Sequence, residues 1–162
     1  MQSPSETTDA QEEIVQIQVS KPVLREGSKG RAVEELQNLL THRGAYTGPI
    51  NGVYEEQTEE GVKNFQKRVF LKPDGIVAKH TWTSLYSGAP VDMPELSRGS
   101  HGELVMTVQR VLKSTMDYVG IIDGDFGELT EASVTSLQRR NNLPVTGVVS
   151  EQTWLVLSKV PR

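Results

Sequence analysis

The sequence predicts an all-α protein made of two tandem three-helix domains, joined by a short linker and preceded by a flexible acidic N-terminal tail. Three observations carry this prediction. The chain repeats itself at a fixed offset of 72 residues. Apolar residues inside each repeat recur with the spacing of amphipathic helices. The 162 residues are 36% hydrophobic and 23% charged, which is typical of a globular protein.

Composition excludes several classes of function. Cysteine is absent, so disulfide frameworks, thiolate zinc sites and cysteine nucleophiles are excluded. The longest apolar runs have three or four residues, whereas a membrane span needs about 20, so no membrane insertion is expected. The net charge of −4 and the pI of 5.4 argue against nucleic acid as a partner.

The repeat aligns residues 22–85 with residues 94–157 without a gap, and more than a third of the aligned positions are identical. Two repeats are too few for a solenoid, which needs about three units to be stable. Each repeat must therefore hold its own small core. The predicted domains are residues 22–86 (repeat 1) and residues 94–162 (repeat 2), and the Gly- and Pro-containing residues 87–93 form the linker.

Residues 1–21 form the predicted tail. They carry four acidic residues against one lysine, and this polar composition predicts disorder. Residues 14–19 partly alternate between apolar and polar residues. They could form a short strand, or they could lie as an extended segment against repeat 1. No signal peptide is visible, because the N-terminus lacks a basic start and an apolar stretch. An export signal has either been removed, or the protein is not exported by that route.

The first helix of each repeat is predicted to follow a Gly-Ser-x-Gly motif. Ser28 and Ser100 are predicted N-caps, because a hydroxyl can accept a bond from an orphan backbone N–H. Ser100 with Glu103 matches a capping box. The apolar residues that follow have 3-4 spacing and define the inward face: Val33, Leu36, Leu39 and Leu40 in repeat 1, and Val105, Val108, Val111 and Leu112 in repeat 2.

The second helix is predicted to start near Glu56 and Glu128, because acidic first turns and basic last turns suit the helix dipole. The third helix is short and covers residues 78–86 or 150–159. The inward residues of these two helices are Val62, Phe65, Val69, Trp82 and Leu85 in repeat 1, and Val134, Leu137, Trp154 and Leu157 in repeat 2.

No catalytic set is visible in the sequence. A serine nucleophile needs a positioned base and acid, and repeat 1 has Lys29 where His101 follows Ser100. The other histidines, His42 and His80, complete no metal-binding pattern. The acidic residues of the second helix are explained by the helix dipole. We therefore expect no enzymatic activity, no metal and no cofactor.

Several recurring side chains have both a structural and a ligand-binding interpretation. Trp82 and Trp154 are predicted to be core residues rather than sugar platforms. Gln66 and Gln138 are interpreted as buried amides that hold loop carbonyls, with ligand donors as the alternative. Two aromatic residues lie near the glycine-rich loop of each repeat, Tyr46 and Tyr54 in repeat 1 and Tyr118 and Phe126 in repeat 2. In each pair we expect one ring to be in the core and the other to be half exposed.

The order of motifs in both repeats resembles the peptidoglycan-binding-like domain. Gly-Ser-x-Gly is followed by Val-x-x-x-Gln, Tyr-x-Gly-x-Ile-[Asp/Asn]-Gly, Thr-x-x-x-Val and Thr-Trp-x-x-Leu. The resemblance implies a small three-helix module that is often attached to cell-wall hydrolases. It also implies that the ligand is the glycan strand or the stem peptide of peptidoglycan and that the protein acts in the cell envelope.

Repeat 2 is the closer match to the family in the glycine-rich loop, because repeat 1 has Asn51 and Glu55 in place of Asp123 and Gly127. The resemblance thus implies a better site in repeat 2. There glycine lets the backbone approach a ligand, Asp123 can accept bonds from sugar hydroxyls or from its own turn and Arg139 offers a fork for a carboxylate. The alternative is that Asp123 and Gly127 only shape the loop. The candidate ligand-binding residues are Asp123, Phe126, Gly127, Thr130, Arg139 and Tyr118 in repeat 2, and Asn51, Tyr54, Thr58 and Lys67 in repeat 1.

The function expected from these observations is non-catalytic binding to the bacterial cell wall, with two weak sites linked to raise avidity. Two alternatives stay open. The repeats could form a protein-interaction scaffold without a glycan site, or they could be the targeting region of a cell-wall hydrolase whose catalytic domain lies outside this chain.

Overall fold

The computed structural model describes residues 21–161, and the strand considered at residues 14–19 lies outside this range. The chain divides into two compact units, the first ending at Val91 and the second beginning at Asp92. Each unit contains one repeat. That residues 22–86 and 94–162 each fold independently stays a prediction.

Each repeat consists of three helices, so the predicted all-α class is confirmed. Within residues 21–161 the extended backbone forms isolated bridges rather than strands. The helices of repeat 1 are α1 (Arg31–His42), α2 (Glu56–Arg68) and α3 (Lys79–Ser87). Those of repeat 2 are α4 (Glu103–Ser114), α5 (Glu128–Arg140) and α6 (Glu151–Ser158).

The apolar faces of the helices meet in one small core per repeat. The inward residues predicted from the 3-4 spacing are buried, except Leu39, which is only partly buried at the edge of the core. Trp82 and Trp154 are 0% and 1% exposed, so their prediction as core residues is confirmed. Each indole N–H donates to the backbone carbonyl of a proline before the first helix, over 2.8 Å to Pro22 and 2.7 Å to Pro94.

The predicted serine caps are wrong. The residues that precede α1 and α4 are Gly30 and Gly102, with φ of 120° and 119° and no side-chain cap. The hydroxyl of Ser28 instead accepts a bond from the backbone N–H of Arg25, and Ser100 Oγ accepts one from Ser97. The serines therefore close a turn before the helix, and the capping box of Ser100 with Glu103 does not form.

Glycine at these positions has a structural reason. The backbone N–H groups of Gly30 and Gly102 donate to the carbonyls of Gly52 and Gly124, each over 2.9 Å. Both glycines make this long-range bond with a positive φ, which glycine adopts at little steric cost. The start of the first helix is thus set by its attachment to the glycine-rich loop.

Antiparallel bridges tie the segment before the first helix to both loops of its repeat. Leu24 pairs with Val77 in repeat 1, and Leu96 pairs with Val149 in repeat 2. A second bridge in each repeat joins the residue before the glycine cap to the first loop, Lys29 with Val53 and His101 with Asp125. In the part of the chain that is described, no helix has the length and apolar character needed to cross a bilayer.

Candidate functional site

A buried glutamine from the first helix of each repeat holds the glycine-rich loop. Gln109, which is 0% exposed, donates through Nε2 to the carbonyl of Asp125 and to Thr130 Oγ1, both at 3.0 Å. Its Oε1 accepts bonds from the backbone N–H groups of Asp123 at 3.1 Å and Gly124 at 3.0 Å. Gln37 forms the same set of bonds in repeat 1. The side-chain amide therefore fixes the loop as a unit.

A second buried glutamine holds the loop between the second and third helices. Gln66 Nε2 donates to the carbonyl of Ile76 at 3.0 Å and to Thr81 Oγ1 at 3.1 Å, and its Oε1 accepts from Gly75 N at 3.0 Å. Gln138 makes the equivalent bonds in repeat 2. The interpretation of Gln66 and Gln138 as buried amides that hold loop carbonyls is confirmed.

The same loop motif occurs four times within residues 21–161. An Asn, Asp or Thr precedes a glycine, and a buried threonine follows seven positions after that first residue. That Gln37 and Gln109 hold the first loop of each repeat was not predicted from the sequence. The seven-residue spacing from the first residue of the motif to the threonine was the signal that could have indicated it. The four pairs are Asn51 with Thr58, Asp74 with Thr81, Asp123 with Thr130, and Thr146 with Thr153.

The candidate ligand-binding residues fall into two classes by exposure. Four side chains are exposed, those of Asn51, Lys67, Asp123 and Arg139, and Gly127 is partly buried. The other five are at most 4% exposed. Their side chains belong to the interior of each repeat, where they support the loop: Tyr54, Thr58, Tyr118, Phe126 and Thr130.

The expectation that one member of each aromatic pair is half exposed is wrong, because all four rings are buried. The polar tips of the tyrosines find backbone partners inside the repeat. Tyr46 and Tyr118 donate to the carbonyls three residues further on, those of Pro49 at 2.8 Å and Ile121 at 2.6 Å. Burial of a tyrosine ring is favourable when its hydroxyl is bonded in this way.

Tyr54 links the two loops of repeat 1. Its hydroxyl donates to the carbonyl of Gly75. Burial raises the pKa of Tyr54 well above its usual value, and the carboxylates of Glu59, Asp74 and Glu26 raise it further. The hydroxyl therefore stays protonated as a donor. Repeat 2 has Phe126 at this position and lacks the link.

The structure separates the exposed candidates into two groups. In repeat 2, Asp123 and Gly127 lie before the start of α5, whereas Arg139 lies in its last turn. A helix rises about 1.5 Å per residue, so roughly 17 Å separates the two groups along α5. Asn51 and Lys67 are separated in the same way by α2. The four exposed side chains therefore do not form one compact site per repeat.

Asp123 has a structural role that its counterpart Asn51 shares. Its Oδ1 accepts bonds from the backbone N–H of Asp125 at 2.9 Å and from Gln109 Nε2 at 3.1 Å. These bonds, in that order of effect, hold the pKa of Asp123 below its usual value, although partial desolvation opposes them. Asn51 Oδ1 accepts the equivalent bonds in repeat 1. The two loops differ here in charge rather than in hydrogen bonding.

Repeat 2 exposes apolar side chains that repeat 1 lacks. The apolar patch is defined by Met116, Val119, Ile121 and Leu129, which are 85%, 85%, 77% and 58% exposed. Ser133 Oγ contacts the carbonyls of both Asp117 and Leu129, so this loop lies beside the start of α5. The corresponding residues of repeat 1 are Gly44, Thr47, Pro49 and Gln57.

Within residues 21–161, no group of three or more His, Asp or Glu side chains is arranged to hold a metal ion. The acidic residues at the starts of α2 and α5 lie in the first turn, where the helix dipole favours them.

Comparison with known protein families gives the class of the chain. The sequence model of the family described as "Putative peptidoglycan binding domain" matches residues 29–85 and 101–157. These two stretches cover most of the described chain. The chain therefore belongs to the peptidoglycan-binding domain family and contains the domain twice.

Individual relatives match through parts of their length. The N-acetylmuramoyl-L-alanine amidase CwlM of Mycobacterium tuberculosis is 29% identical over 145 residues, which are 80% of this chain and 36% of the relative. The spore cortex-lytic enzyme of Bacillus subtilis is 42% identical over 67 residues, 41% of this chain and 22% of the relative. The crystal structure of the SleB N-terminal domain is 35% identical and covers 43% of this chain and 94% of its own, with a TM-score of 0.42. The chain spans about a third or less of these two enzymes.

Proposed function

We propose that this chain is a non-catalytic peptidoglycan-binding region in which two modules act in tandem. The observation that carries the proposal is the family match to both repeats. Two observations support a non-catalytic role: the sequence shows no nucleophile–base set, and the family match is to a binding domain.

Ligand contact is assigned to the exposed members of the candidate set, and the buried members shape the loops. A loop that is held by a buried amide is ordered before the ligand arrives, which reduces the entropy cost of binding. Asp123 Oδ1 accepts bonds within the loop, so its second oxygen, Oδ2, can accept a bond from a sugar hydroxyl. Asn51 Oδ1 is bonded in the same way, so Asn51 can donate a bond to a sugar oxygen through Nδ2. Arg139 and Lys67, at the other end of the second helix, present cations to carboxylates of a stem peptide.

Two linked modules favour a polymeric ligand. When one module is bound, the other is held at a high effective concentration near the same polymer. Linkage of this kind raises the apparent affinity by about 100-fold or more where both sites can engage. Peptidoglycan repeats its sugar and peptide units, so it can occupy both modules at once.

The relatives support a role as a targeting region. Two of them are named as an amidase and a cortex-lytic enzyme, and this chain matches only part of each. The proposal places the chain in the cell envelope, where it would hold a hydrolytic domain close to its polymeric substrate.

Co-sedimentation with purified sacculi tests the proposal. We expect the full chain to sediment with sacculi and to release no soluble sugar or peptide from them. Arg139→Ala and Lys67→Ala are expected to weaken retention, and Gln152→Ala, at an exposed position of α6, serves as the matched control. Absence of retention on sacculi from several bacteria would remove the proposal.

The apolar patch of repeat 2 favours a second candidate function, binding to a protein partner. Repeat 1 has Gly, Thr, Pro and Gln at these four positions, so the fold does not require a Met, Val, Ile or Leu side chain at them. Exposed apolar patches often mark protein interaction sites. A photo-crosslinking residue at position 119 is expected to capture one defined envelope protein, and Leu129→Gln is expected to abolish capture without changing sedimentation with sacculi. Unchanged capture by that variant would contradict this candidate.

A further inference from the structure

Repeat 1 has a shallow depression of about 190 Å³ beside the loop that joins α2 to α3. Its floor contains the buried side chains of Gln66 and Thr81, which are bonded to each other. Apolar side chains form its walls, and two charged residues and a histidine lie at its rim. The wall residues are Leu71, Ile76 and Ala78, and the rim residues are Lys72, Asp74 and His80.

The rim carries opposite charges that are available to a ligand. Lys72 is exposed and forms no ion pair with any residue from 21 to 161. Asp74 is exposed and uses Oδ1 to accept bonds from Gln66 Nε2 at 3.1 Å and Ile76 N at 2.9 Å. Its Oδ2 has no hydrogen bond within the described chain. A cation and a carboxylate oxygen therefore stand beside a small apolar wall.

The fold of the loop does not require these charges. In repeat 2, Pro144 stands in place of Lys72 and Thr146 in place of Asp74. Thr146 Oγ1 nevertheless accepts a bond from Val148 N at 3.1 Å and one from Gln138 Nε2 at 3.3 Å, as Asp74 Oδ1 does in repeat 1. A neutral threonine thus supports the same loop, so the negative charge of Asp74 is not needed to hold it.

We propose that this depression binds the free carboxyl end of a peptidoglycan stem peptide. The inference rests on the proposed function and adds to it a site in repeat 1 for the free end of the stem peptide. Lys72 would pair with the terminal carboxylate, and a charged pair of this kind is stronger than a neutral hydrogen bond. The apolar wall accepts a small aliphatic side chain, and Asp74 Oδ2 accepts a bond from an ammonium group of a diamino acid in the same peptide.

NMR titration of the full-length ¹⁵N-labelled protein tests the proposal. The probe is a synthetic stem pentapeptide that contains a diamino acid and ends in D-Ala-D-Ala with a free carboxylate. We expect shift changes at the amides of residues 71–81 and none at residues 143–153. The same peptide with a C-terminal amide is expected to bind at least threefold more weakly. Equal affinity for the two peptides, or no shift in residues 71–81, would overturn the proposal.

Variants at the two rim positions, and a transfer of the two charges into repeat 2, test the roles assigned to Lys72 and Asp74. Lys72→Gln and Asp74→Thr are each expected to weaken pentapeptide binding at least threefold, while the amide spectrum outside the loop stays that of the wild type. The double variant Pro144→Lys with Thr146→Asp is expected to produce shifts in repeat 2. Retained affinity in Asp74→Thr and Lys72→Gln would refute the assigned roles.

The experiments distinguish failure of the peptide site from failure of the proposed function. Sedimentation with sacculi without shifts in residues 71–81 refutes the peptide site and leaves the proposed function intact. Shifts in residues 71–81 without sedimentation support the peptide site and refute the proposed function.

Discussion

Replacement of Gln109 with leucine removes the amide that holds the first loop of repeat 2. The change leaves two buried groups without their partner, the backbone N–H of Gly124 and the hydroxyl of Thr130. A buried polar group that loses its partner costs about 1–3 kcal/mol. Exposed Asp123 and Asp125 can bond to water instead, so they add little. Burial of the leucine side chain offsets part of the loss, and the expected net destabilisation is about 3 kcal/mol.

A loss of this size is large for so small a domain. Single domains are stable by only about 5–15 kcal/mol, and small ones lie at the low end. With an m-value of about 1 kcal/mol/M in urea, the midpoint of repeat 2 is expected to fall by about 3 M.

Tryptophan fluorescence can follow repeat 2 alone. The chain has two tryptophans, one in each repeat, so Trp154 is the sole reporter in a Trp82→Phe background. Gln152→Leu, at an exposed position of α6, is the control and is expected to change the midpoint little. A loss below about 1 kcal/mol for Gln109→Leu would refute the argument that this amide fixes the loop.

Three further predictions concern individual repeats. Tyr54→Phe removes the hydrogen bond to the carbonyl of Gly75 and should destabilise repeat 1 by about 1 kcal/mol in urea unfolding. Repeat 2 already has phenylalanine at this position, Phe126, so its stability should not change. Because the folded-state pKa of Asp123 lies below its usual 3.8, the carboxylate stabilises repeat 2 above that pH, and this contribution is lost as the pH falls below it. Asp123→Asn should remove that pH dependence. Residues 22–86 and 94–162, expressed separately, should each unfold cooperatively on heating; a broad transition in both would contradict independent folding.

The helices of each repeat could be predicted from the sequence, because their positions depend on local periodicity. Val33, Leu36 and Leu40 recur at helical spacing and are fully buried. The alignment of the two repeats strengthened this prediction, since the same face recurs at Val105 and Val108.

The helix starts could not be predicted from local capping rules. Ser28 has the side chain of a good N-cap, but the helix begins after Gly30, whose N–H bonds to the carbonyl of Gly52. That bond joins residues 22 positions apart, and Gly30 makes it with a positive φ. A pattern of neighbouring residues carries no information about such a contact.

The candidate site was predicted only in part for a similar reason. The family motif indicated the glycine-rich loop, but the exposure of each side chain depends on partners supplied by the fold. Tyr118 is buried, and its hydroxyl is satisfied there by the carbonyl of Ile121. The depression in repeat 1 arises because folding brings Gln66 and Thr81 together, 15 residues apart. Charge differences between the repeats, by contrast, were readable from the aligned sequences.

The central claim is that the intact chain binds peptidoglycan without cleaving it. Its most direct test is an equilibrium binding isotherm of the full chain on purified sacculi, with cellulose as the control polymer and analysis of the supernatant for released fragments. We expect saturable binding to sacculi, little binding to cellulose and no released sugar or peptide. Binding to sacculi no stronger than binding to cellulose, or steady release of fragments by the pure protein, would contradict it.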